Sequence, residues 1–340
     1  MTRPPTRDIQ RVAVLGAGSW GTAYAKVLAD AGRDVVLWCR RETVADAITS
    51  ERHNPDYLPG VRLPGRLDAT VDLESALVQV DAVVLAVPSQ ALRENLTVFR
   101  DLLPESGPVI SLAKGIEVGT GLRMSELVAQ VGRVNPDRIV VLTGPNLAKE
   151  IALGQPTTTV LACRDRAGAT AVQRASGNRY FRPYTITDVV GAEIAGTGKN
   201  VIALACGIAD GLALGGNTSA SLITRGLAEL TKLGEKLGAL AATFAGLAGL
   251  GDLVATCSSP LSRNRSLGHR LGTGMTLDAA LGAAGGQVAE GVASCRSVRD
   301  LALRHGVDMP ITEGVYRVCY QQMPPQEMIR MLMDGPYSAE

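Results

Sequence analysis

A doubly wound, mostly parallel α/β sheet followed by an all-helical half is the architecture this chain predicts, on three observations. The apolar run Val12-Ala13-Val14-Leu15 leads directly into Gly16-Ala17-Gly18-Ser19-Trp20-Gly21 and then into the helix-forming stretch Thr22 to Ala29. Strand-length apolar runs recur at Ala82 to Val87, Val109 to Leu112 and Ile139 to Leu142, separated by segments able to carry helices, the alternation expected of a parallel sheet. After about Asp188 the texture changes to long Ala/Leu/Gly-rich stretches with helical spacing, Ala192 to Leu214, Ser219 to Leu237, Leu277 to Ala284 and Val292 to Leu303. The expectation is a Rossmann-type dinucleotide-binding domain over 1–190 and a helical substrate-binding domain over 191–340, with the cleft between them as the expected substrate site.

Each element has its own justification. In the glycine turn, Gly16 reverses the chain sharply, Gly18 lets the backbone approach a pyrophosphate, and Gly21 lets helix and strand pack closely. The free amides at the helix start then face the anion. The second strand, Asp34 to Cys39, ends where such a site reads the ribose, and there the chain carries Arg40 and Arg41 with no carboxylate before Glu42. Two guanidiniums suit a 2′-phosphate, so NADPH is expected to serve at least as well as NADH; the alternative is a solvated loop pair. The three following runs end in Pro88-Ser89, Ala113-Lys114-Gly115 and Thr143-Gly144-Pro145-Asn146, small, polar or cationic residues beyond strand ends, where open α/β sheets bind ligands. Thr157 to Ala162 and Tyr180 to Tyr184 read as later strands towards an edge, and Gly335 to Glu340 as a frayed end.

Composition narrows the function. The 340 residues carry a formal net charge of +1 with no Lys/Arg block, which argues against a nucleic-acid partner or an acidic membrane surface. The uncharged stretch Leu237 to Gly251 is too short and glycine-rich to span a bilayer, and Met1-Thr2-Arg3-Pro4-Pro5 leads into no secretory apolar region, so no membrane insertion and a cytoplasmic location are expected. The six cysteines are scattered without C-x-x-C pairing and read as small buried hydrophobes in a reducing compartment.

His53, His269 and His305 are the only histidines. None has metal or triad spacing, so no metal is expected, and His53 and His305 read as polar loop residues. A dehydrogenase still needs a proton donor for the oxygen of its substrate, and lysine is the best candidate. Gly196-Thr197-Gly198-Lys199-Asn200 is read as the opening of a helix that becomes strongly apolar; there Lys199 is either a snorkelling surface lysine or a functional one. Gly249-Leu250-Gly251-Asp252-Leu253 sets one carboxylate after a long uncharged run, where an unpaired charge would be costly and a lysine partner would offset it. Thr256 to Arg265 reads as a loop of hydroxyls and guanidiniums leading towards a helix. That is the composition of a phosphate cradle, or else of a capped helix start with exposed arginines.

Together these segments resemble the NAD(P)-dependent glycerol-3-phosphate dehydrogenases of the bacterial biosynthetic type. The likeness runs from Gly16 to Ala23 through Lys114-Gly115, Gly144-Pro145, Ala148-Lys149-Glu150, Lys199-Asn200, Thr224-Arg225-Gly226, Gly249 to Leu253, Ser262 to Arg265 and Val288 to Gly291, ending at Met309 to Thr312. It implies that Gly16, Gly18, Ser19, Trp20, Gly21, Arg40 and Arg41 hold the nucleotide, with Ala148, Val288 and Glu290 near it, and that Lys114 touches both cofactor and substrate. Lys199 matches the proton-transferring lysine. Asp252 and Asn200 would hold substrate oxygens and orient that lysine; Gly144 and Asn146 would contact the substrate. Thr256, Ser262, Arg263 and Asn264 would grip its phosphate, Arg263 also reaching the cofactor. The implied reaction is reduction of dihydroxyacetone phosphate to sn-glycerol 3-phosphate for phospholipid synthesis, by a homodimer with no nucleic-acid partner.

Two segments depart from the family pattern. Where it has Ser-Gly-Pro-(Ser/Thr)-Phe, this chain has Thr143-Gly144-Pro145-Asn146-Leu147, so a contact expected of a hydroxyl falls to the amide of Asn146. Ahead of Lys199 the usual Gly-Ala-x is Gly196-Thr197-Gly198. The competing readings are a β-hydroxyacid dehydrogenase of the 6-phosphogluconate type and a nucleotide sensor that kept the fold without the reaction.

Overall fold

The computed structural model describes residues 8–283 and 289–334. Its sheet has eight strands: β1 Arg11–Leu15, β2 Asp34–Trp38, β3 Leu67–Thr70, β4 Ala82–Leu85, β5 Val109–Ser111, β6 Ile139–Thr143, β7 Thr157–Ala162 and β8 Phe181–Ile186. They lie in the order β3-β2-β1-β4-β5-β6-β7-β8. Every neighbouring pair is parallel except β6 with β7, which is antiparallel. β1 pairs with β2 on one side and β4 on the other, Leu15 standing beside both Trp38 and Leu85, so the strand order reverses at β1. Ligands of open α/β sheets sit beyond the carboxyl ends of the strands at such a switch point. β3 escapes sequence reading because it is a four-residue edge strand in which only Leu67 is buried.

The chain divides into two compact units, one running from β1 to Ala113 and resuming over Arg123–Val189, the other formed by Lys114–Leu122 and the chain from Val190. The first is built around the buried strand residues Val12, Val14, Val35, Leu37, Val84, Ile110, Val140 and Leu142, packed with Tyr24, Ile48 and Phe181. The second is helical around Ile202, Leu204, Ile208, Leu233, Phe244, Leu267, Val298 and Val315, and Ile116 from the Lys114–Leu122 excursion belongs to this core. All six cysteines are buried as free thiols.

The central helix of the second unit, Val189–Gly211, corrects one expectation. Gly196, Thr197 and Gly198 lie inside it and open no helix; Leu230 packs against Gly198, where a Cβ would come within 1.9 Å of Leu230 Cδ2. The helix is also long and apolar enough, with a mean hydropathy of 1.2, to cross a membrane by length and composition, yet 89% of that window is buried within the protein. Part of what covers it is helix Arg263–Gly272, packed backbone to backbone. A Cβ at Gly207 would lie 2.1 Å from the Arg265 carbonyl oxygen, and one at Gly268 would lie 2.2 Å from that of Leu204.

Other boundaries shift as well. Thr256, Cys257 and Ser258 belong to helix Asp252–Ser258, so the hydroxyl-rich loop shrinks to Ser259–Ser262 before Arg263 opens the next helix. His305 is the last residue of helix Glu290–His305 rather than part of a loop. A buried carboxylate absent from the sequence reading, Glu229, accepts from the Ile311 N–H at 2.7 Å and from Thr312. It thereby caps helix Pro310–Tyr320, and burial pushes its pKa up to about 7.

Candidate active site

The expected site residues fall into two sets, one in each unit. Gly16, Gly18, Ser19, Trp20, Gly21, Arg40, Arg41, Gly144, Asn146 and Ala148 belong to the sheet unit; Lys114, Lys199, Asn200, Asp252, Thr256, Ser262, Arg263, Asn264 and Glu290 belong to the helical unit. Val288 lies outside the described residues.

In the sheet unit the glycines are arranged for close backbone approach. Gly16, directly after β1, holds φ at +122°, and a Cβ there would come within 2.7 Å of the Ala86 carbonyl oxygen. Gly21 is tighter still, its Cβ position lying 2.0 Å from the Gly16 oxygen. At Gly18, by contrast, a Cβ would meet nothing within 4 Å. Gly18 is also the N-cap of helix Ser19–Asp30 and supplies no side-chain cap. The open space in front of uncapped helix amides is what an anion requires, and a pyrophosphate fits it. Nearby, Trp20 buries an indole N–H with no partner among the described residues, and Ser19 donates to the Tyr57 carbonyl at 3.1 Å. Arg40 is exposed; Arg41 is ion-paired with Asp56, which commits part of its guanidinium within the protein.

The departure at Asn146 has a structural counterpart. Its Nδ2 donates to Thr159 Oγ1 at 2.9 Å, and Thr159 in turn donates to the Thr143 carbonyl at 2.7 Å, so the amide nitrogen is engaged at the end of β6. Asn146 Oδ1 is buried with no partner among the described residues. Gly144, just after the strand, holds φ at +111°, and Ala148 is the first residue of helix Ala148–Ala152.

The charged centre lies in the helical unit. Lys199, on the central helix, donates to Asp252 Oδ1 at 2.5 Å and to Thr256 Oγ1 at 2.7 Å. Lys114 donates to the other carboxylate oxygen, Asp252 Oδ2, at 2.5 Å. The Asp252 side chain is 1% exposed and those of Lys114 and Lys199 about a tenth, 12% and 10%. Burial alone would raise the Asp252 carboxyl, but the two ammoniums outweigh it and hold the group below the usual carboxylate range. Burial lowers the Lys114 ammonium to about 8, Asp252 opposing the shift and Lys199 adding to it. With all three ionised the cluster carries one net positive charge in a poorly solvated place, a setting that favours an anionic ligand.

Around this centre, Ser262 is the N-cap of helix Arg263–Gly272, its hydroxyl oxygen accepting from the Arg265 N–H at 3.2 Å. Arg263 is exposed in the first turn. Asn264 donates to Asn200 Oδ1 at 2.9 Å and accepts from the Gly291 N–H at 3.0 Å. Gly291 was not among the residues expected to act, and a backbone amide leaves no side-chain signature by which sequence could have singled it out. Among the described residues no group of three or more His, Cys, Asp or Glu could hold a metal ion.

Family models for the N- and C-terminal parts of NAD-dependent glycerol-3-phosphate dehydrogenase match residues 11–169 and 188–330. The chain belongs to the NAD-dependent glycerol-3-phosphate dehydrogenase family. Among relatives named glycerol-3-phosphate dehydrogenase [NAD(P)+], that of Corynebacterium glutamicum (strain R) is 59% identical over 97% of this chain and 99% of its own length. A Mycobacterium tuberculosis relative numbered 2 is 56% identical, covering 95% of this chain and 96% of itself. The crystal structure of the glycerol-3-phosphate dehydrogenase from Coxiella burnetii superposes with a TM-score of 0.91 at 38% identity, over 96% of this chain and 99% of that one. Membership in the glycerol-3-phosphate dehydrogenase family sets this chain apart from the 6-phosphogluconate type of lysine-using dehydrogenase.

Proposed function

We propose that this chain reduces the C2 ketone of dihydroxyacetone phosphate to sn-glycerol 3-phosphate with NADPH or NADH, and that Lys199 is its proton donor. The observation that carries this reading is the way Lys199 is held. An ammonium has three N–H donors; Asp252 and Thr256 take two of them, and the third has no acceptor among the described residues. A buried ammonium with one uncommitted proton, fixed by a carboxylate that itself stays ionised, is suited to a developing alkoxide.

A reduced nicotinamide, when bound, would supply the hydride for C2. As the carbonyl π electrons collapse onto oxygen, Lys199 gives that oxygen a proton and is left as a neutral amine beside Asp252. Lys199 regains a proton before the next turnover. Lys114 and Arg263 supply positive charge for the phosphate, Thr256 and Ser262 supply hydroxyls, and Asn264 supplies its amide. The glycine turn with Ser19 and Trp20 holds the nucleotide; Arg40 and Arg41 meet its 2′-phosphate; Gly144, Asn146, Ala148, Val288 and Glu290 complete the two sets. The boundary near residue 190, a cytoplasmic homodimer and supply of glycerol phosphate to phospholipid synthesis complete the proposal.

The test is loss of reduced-cofactor absorbance on adding dihydroxyacetone phosphate, run with NADPH and NADH in turn. Turnover with dihydroxyacetone phosphate and none with 3-hydroxy acids supports the reading; tight cofactor binding without turnover identifies a sensor and overturns it. In the same assay, Arg40→Ser/Arg41→Ser is expected to weaken NADPH by about 10-fold or more, the scale of one or two charge-assisted hydrogen bonds, and to leave NADH nearly unchanged. An unaltered preference removes the two arginines from the site.

The lowered Lys114 supplies a pH dependence. Its ammonium is present below about 8 and lost as pH rises through that value, so KM for dihydroxyacetone phosphate is expected to climb on the alkaline side of about 8. Lys114→Gln has the higher KM at neutral pH already and shows no further rise there. A wild-type KM that stays flat through this range excludes the Lys114 charge from substrate binding.

A further inference from the structure

We infer that Asp56 is a specificity-determining residue: paired with Arg41, it competes with a 2′-phosphate for that guanidinium and so weakens NADPH while leaving NADH untouched. The inference deepens the reading above that Arg40 and Arg41 meet the 2′-phosphate, and rests on it. The second strand ends at Trp38, and the two arginines follow after Cys39. Arg41 is the N-cap of helix Glu42–Ser50, its carbonyl accepting from the Val44 and Ala45 N–H groups at 3.1 and 3.2 Å, so its backbone is fixed beside the strand end. A carboxylate then reaches this place from the loop after the helix, where Asp56 Oδ2 accepts from Arg41 Nη2. That loop is tied to the glycine turn on both sides of Asp56. Asn54, fully buried, donates through Nδ2 to the Ala17 carbonyl at 3.0 Å and to Thr22 Oγ1 at 2.9 Å. The Tyr57 carbonyl accepts from Ser19 Oγ at 3.1 Å, and the Tyr57 N–H donates to Asn54 Oδ1 at 3.3 Å. Leu58 is buried in one cluster with Ala23 of helix Ser19–Asp30.

A guanidinium offers its N–H groups in one plane, and its paired grip on a phosphate uses two that point the same way. With Nη2 turned to Asp56, that edge of Arg41 already serves an anion, and the pair as a unit is neutral. A 2′-phosphate therefore has to displace Asp56 or accept a poorer, shared contact. NADH carries a hydroxyl at that position, needs no guanidinium, and leaves the pair as it stands. Exposure sets the size of the effect. The side chains of Arg41 and Asp56 are 55% and 43% exposed, a setting in which an ion pair is worth no more than about fivefold in an equilibrium constant. Such a pair is weak enough for a phosphate to open and strong enough to bias the choice between two cofactors. Because both backbones are held by other bonds, loss of the Asp56 carboxylate frees one side chain and displaces no element.

The test is a double-mutant cycle on the full-length enzyme with Asp56→Asn, Arg41→Ser and the pair, reading KM for each reduced cofactor and calorimetric binding of NADPH, NADH, adenosine 2′,5′-bisphosphate and adenosine 5′-monophosphate. Asp56→Asn is expected to tighten NADPH and the bisphosphate by about three- to fivefold, with NADH and the monophosphate within about twofold of wild type. Arg41→Ser weakens NADPH, and adding Asp56→Asn to it changes NADPH affinity by no more than about twofold, because the carboxylate acts through the guanidinium. Asp56→Glu, which keeps a carboxylate, stays close to the wild-type preference. Four results overturn the inference and leave the dehydrogenase reading intact. Unchanged affinities mean that the pair is inert; weaker NADPH in Asp56→Asn means that Asp56 aims Arg41 at the phosphate. Weaker NADH means that the carboxylate serves the ribose, and an equal gain in the Arg41→Ser background means that Asp56 repels the phosphate directly. If Arg40→Ser/Arg41→Ser itself leaves the preference unaltered, the 2′-phosphate reading fails and this inference fails with it.

Discussion

Lys199→Met lowers kcat for dihydroxyacetone phosphate reduction by about 10²–10⁴-fold, the range attributed to one positioned proton donor, while cofactor affinity stays within about twofold. The asymmetry follows from what Lys199 touches. Its ammonium is bonded to Asp252 and Thr256 in the helical unit, whereas the glycine turn that would hold the nucleotide lies in the sheet unit. Methionine fills nearly the same volume as the lysine stem, so packing around the central helix is retained. What disappears is the proton and one positive charge, and Asp252 keeps Lys114 as its partner. Steady-state kinetics and cofactor titration check the result, and turnover close to wild type would show that the alkoxide takes its proton elsewhere. Lys199→Arg discriminates further. It keeps the charge, but guanidinium does not give up a proton at working pH, so it should bind substrate and remain slow.

Much of this arrangement is legible in the residues, and the parts that are not share a physical character. The strands and the glycine turn are readable because period, length and turn chemistry are local properties. The pairing of Asp252 with a lysine is readable from cost alone, since a single carboxylate following fifteen uncharged residues, Leu237 to Gly251, demands a counter-ion. That the counter-ions are two, one to each oxygen, is not readable: the second comes from Lys114, whose segment leaves the sheet unit for the helical core, and no composition shift marks that excursion. Gly196 and Gly198 misled because glycine is a poor helix former, whereas in the folded chain Leu230 packs against Gly198 from the next helix. Thr256 and its neighbours read as a loop for a similar reason. Their hydroxyls favour turns in isolation, but the helix that begins at Asp252 continues to Ser258. The Asn200–Asn264–Gly291 chain depends on a backbone amide meeting a side chain 27 residues away in sequence, for which no pattern exists.

Asp252→Asn is expected to cost both stability and catalysis, and the pH dependence of the first distinguishes this cluster from an ordinary buried hydrogen bond. Asparagine has one acceptor oxygen where the carboxylate has two, so its NH2 must face one of the two ammoniums that the carboxylate oxygens now accept from at 2.5 Å. Two positive charges remain buried with no counter-charge, and breaking a buried pair in this way costs about 3–5 kcal/mol. Lys114, already lowered to about 8 in the intact site, loses the partner that was holding its charge and is pushed lower. A lysine depressed in the folded chain binds fewer protons there than in the unfolded chain, so stability rises with pH across the window between the two values. The variant should therefore be most destabilised near neutrality and recover part of the loss as pH climbs towards the ordinary lysine range near ~10.4. The wild type, with Asp252 ionised throughout, shows a smaller change. Adding Lys114→Met to Asp252→Asn removes one of the opposed charges and should restore stability at neutral pH without restoring turnover, which is lost by on the order of 10²-fold or more with the carboxylate that fixed Lys199. Chemical denaturation of the two variants at neutral and alkaline pH measures this directly. A loss that is the same at both, with no recovery in the double variant, would mean that the bridge between Lys114 and Lys199 is not what holds this part of the helical unit together.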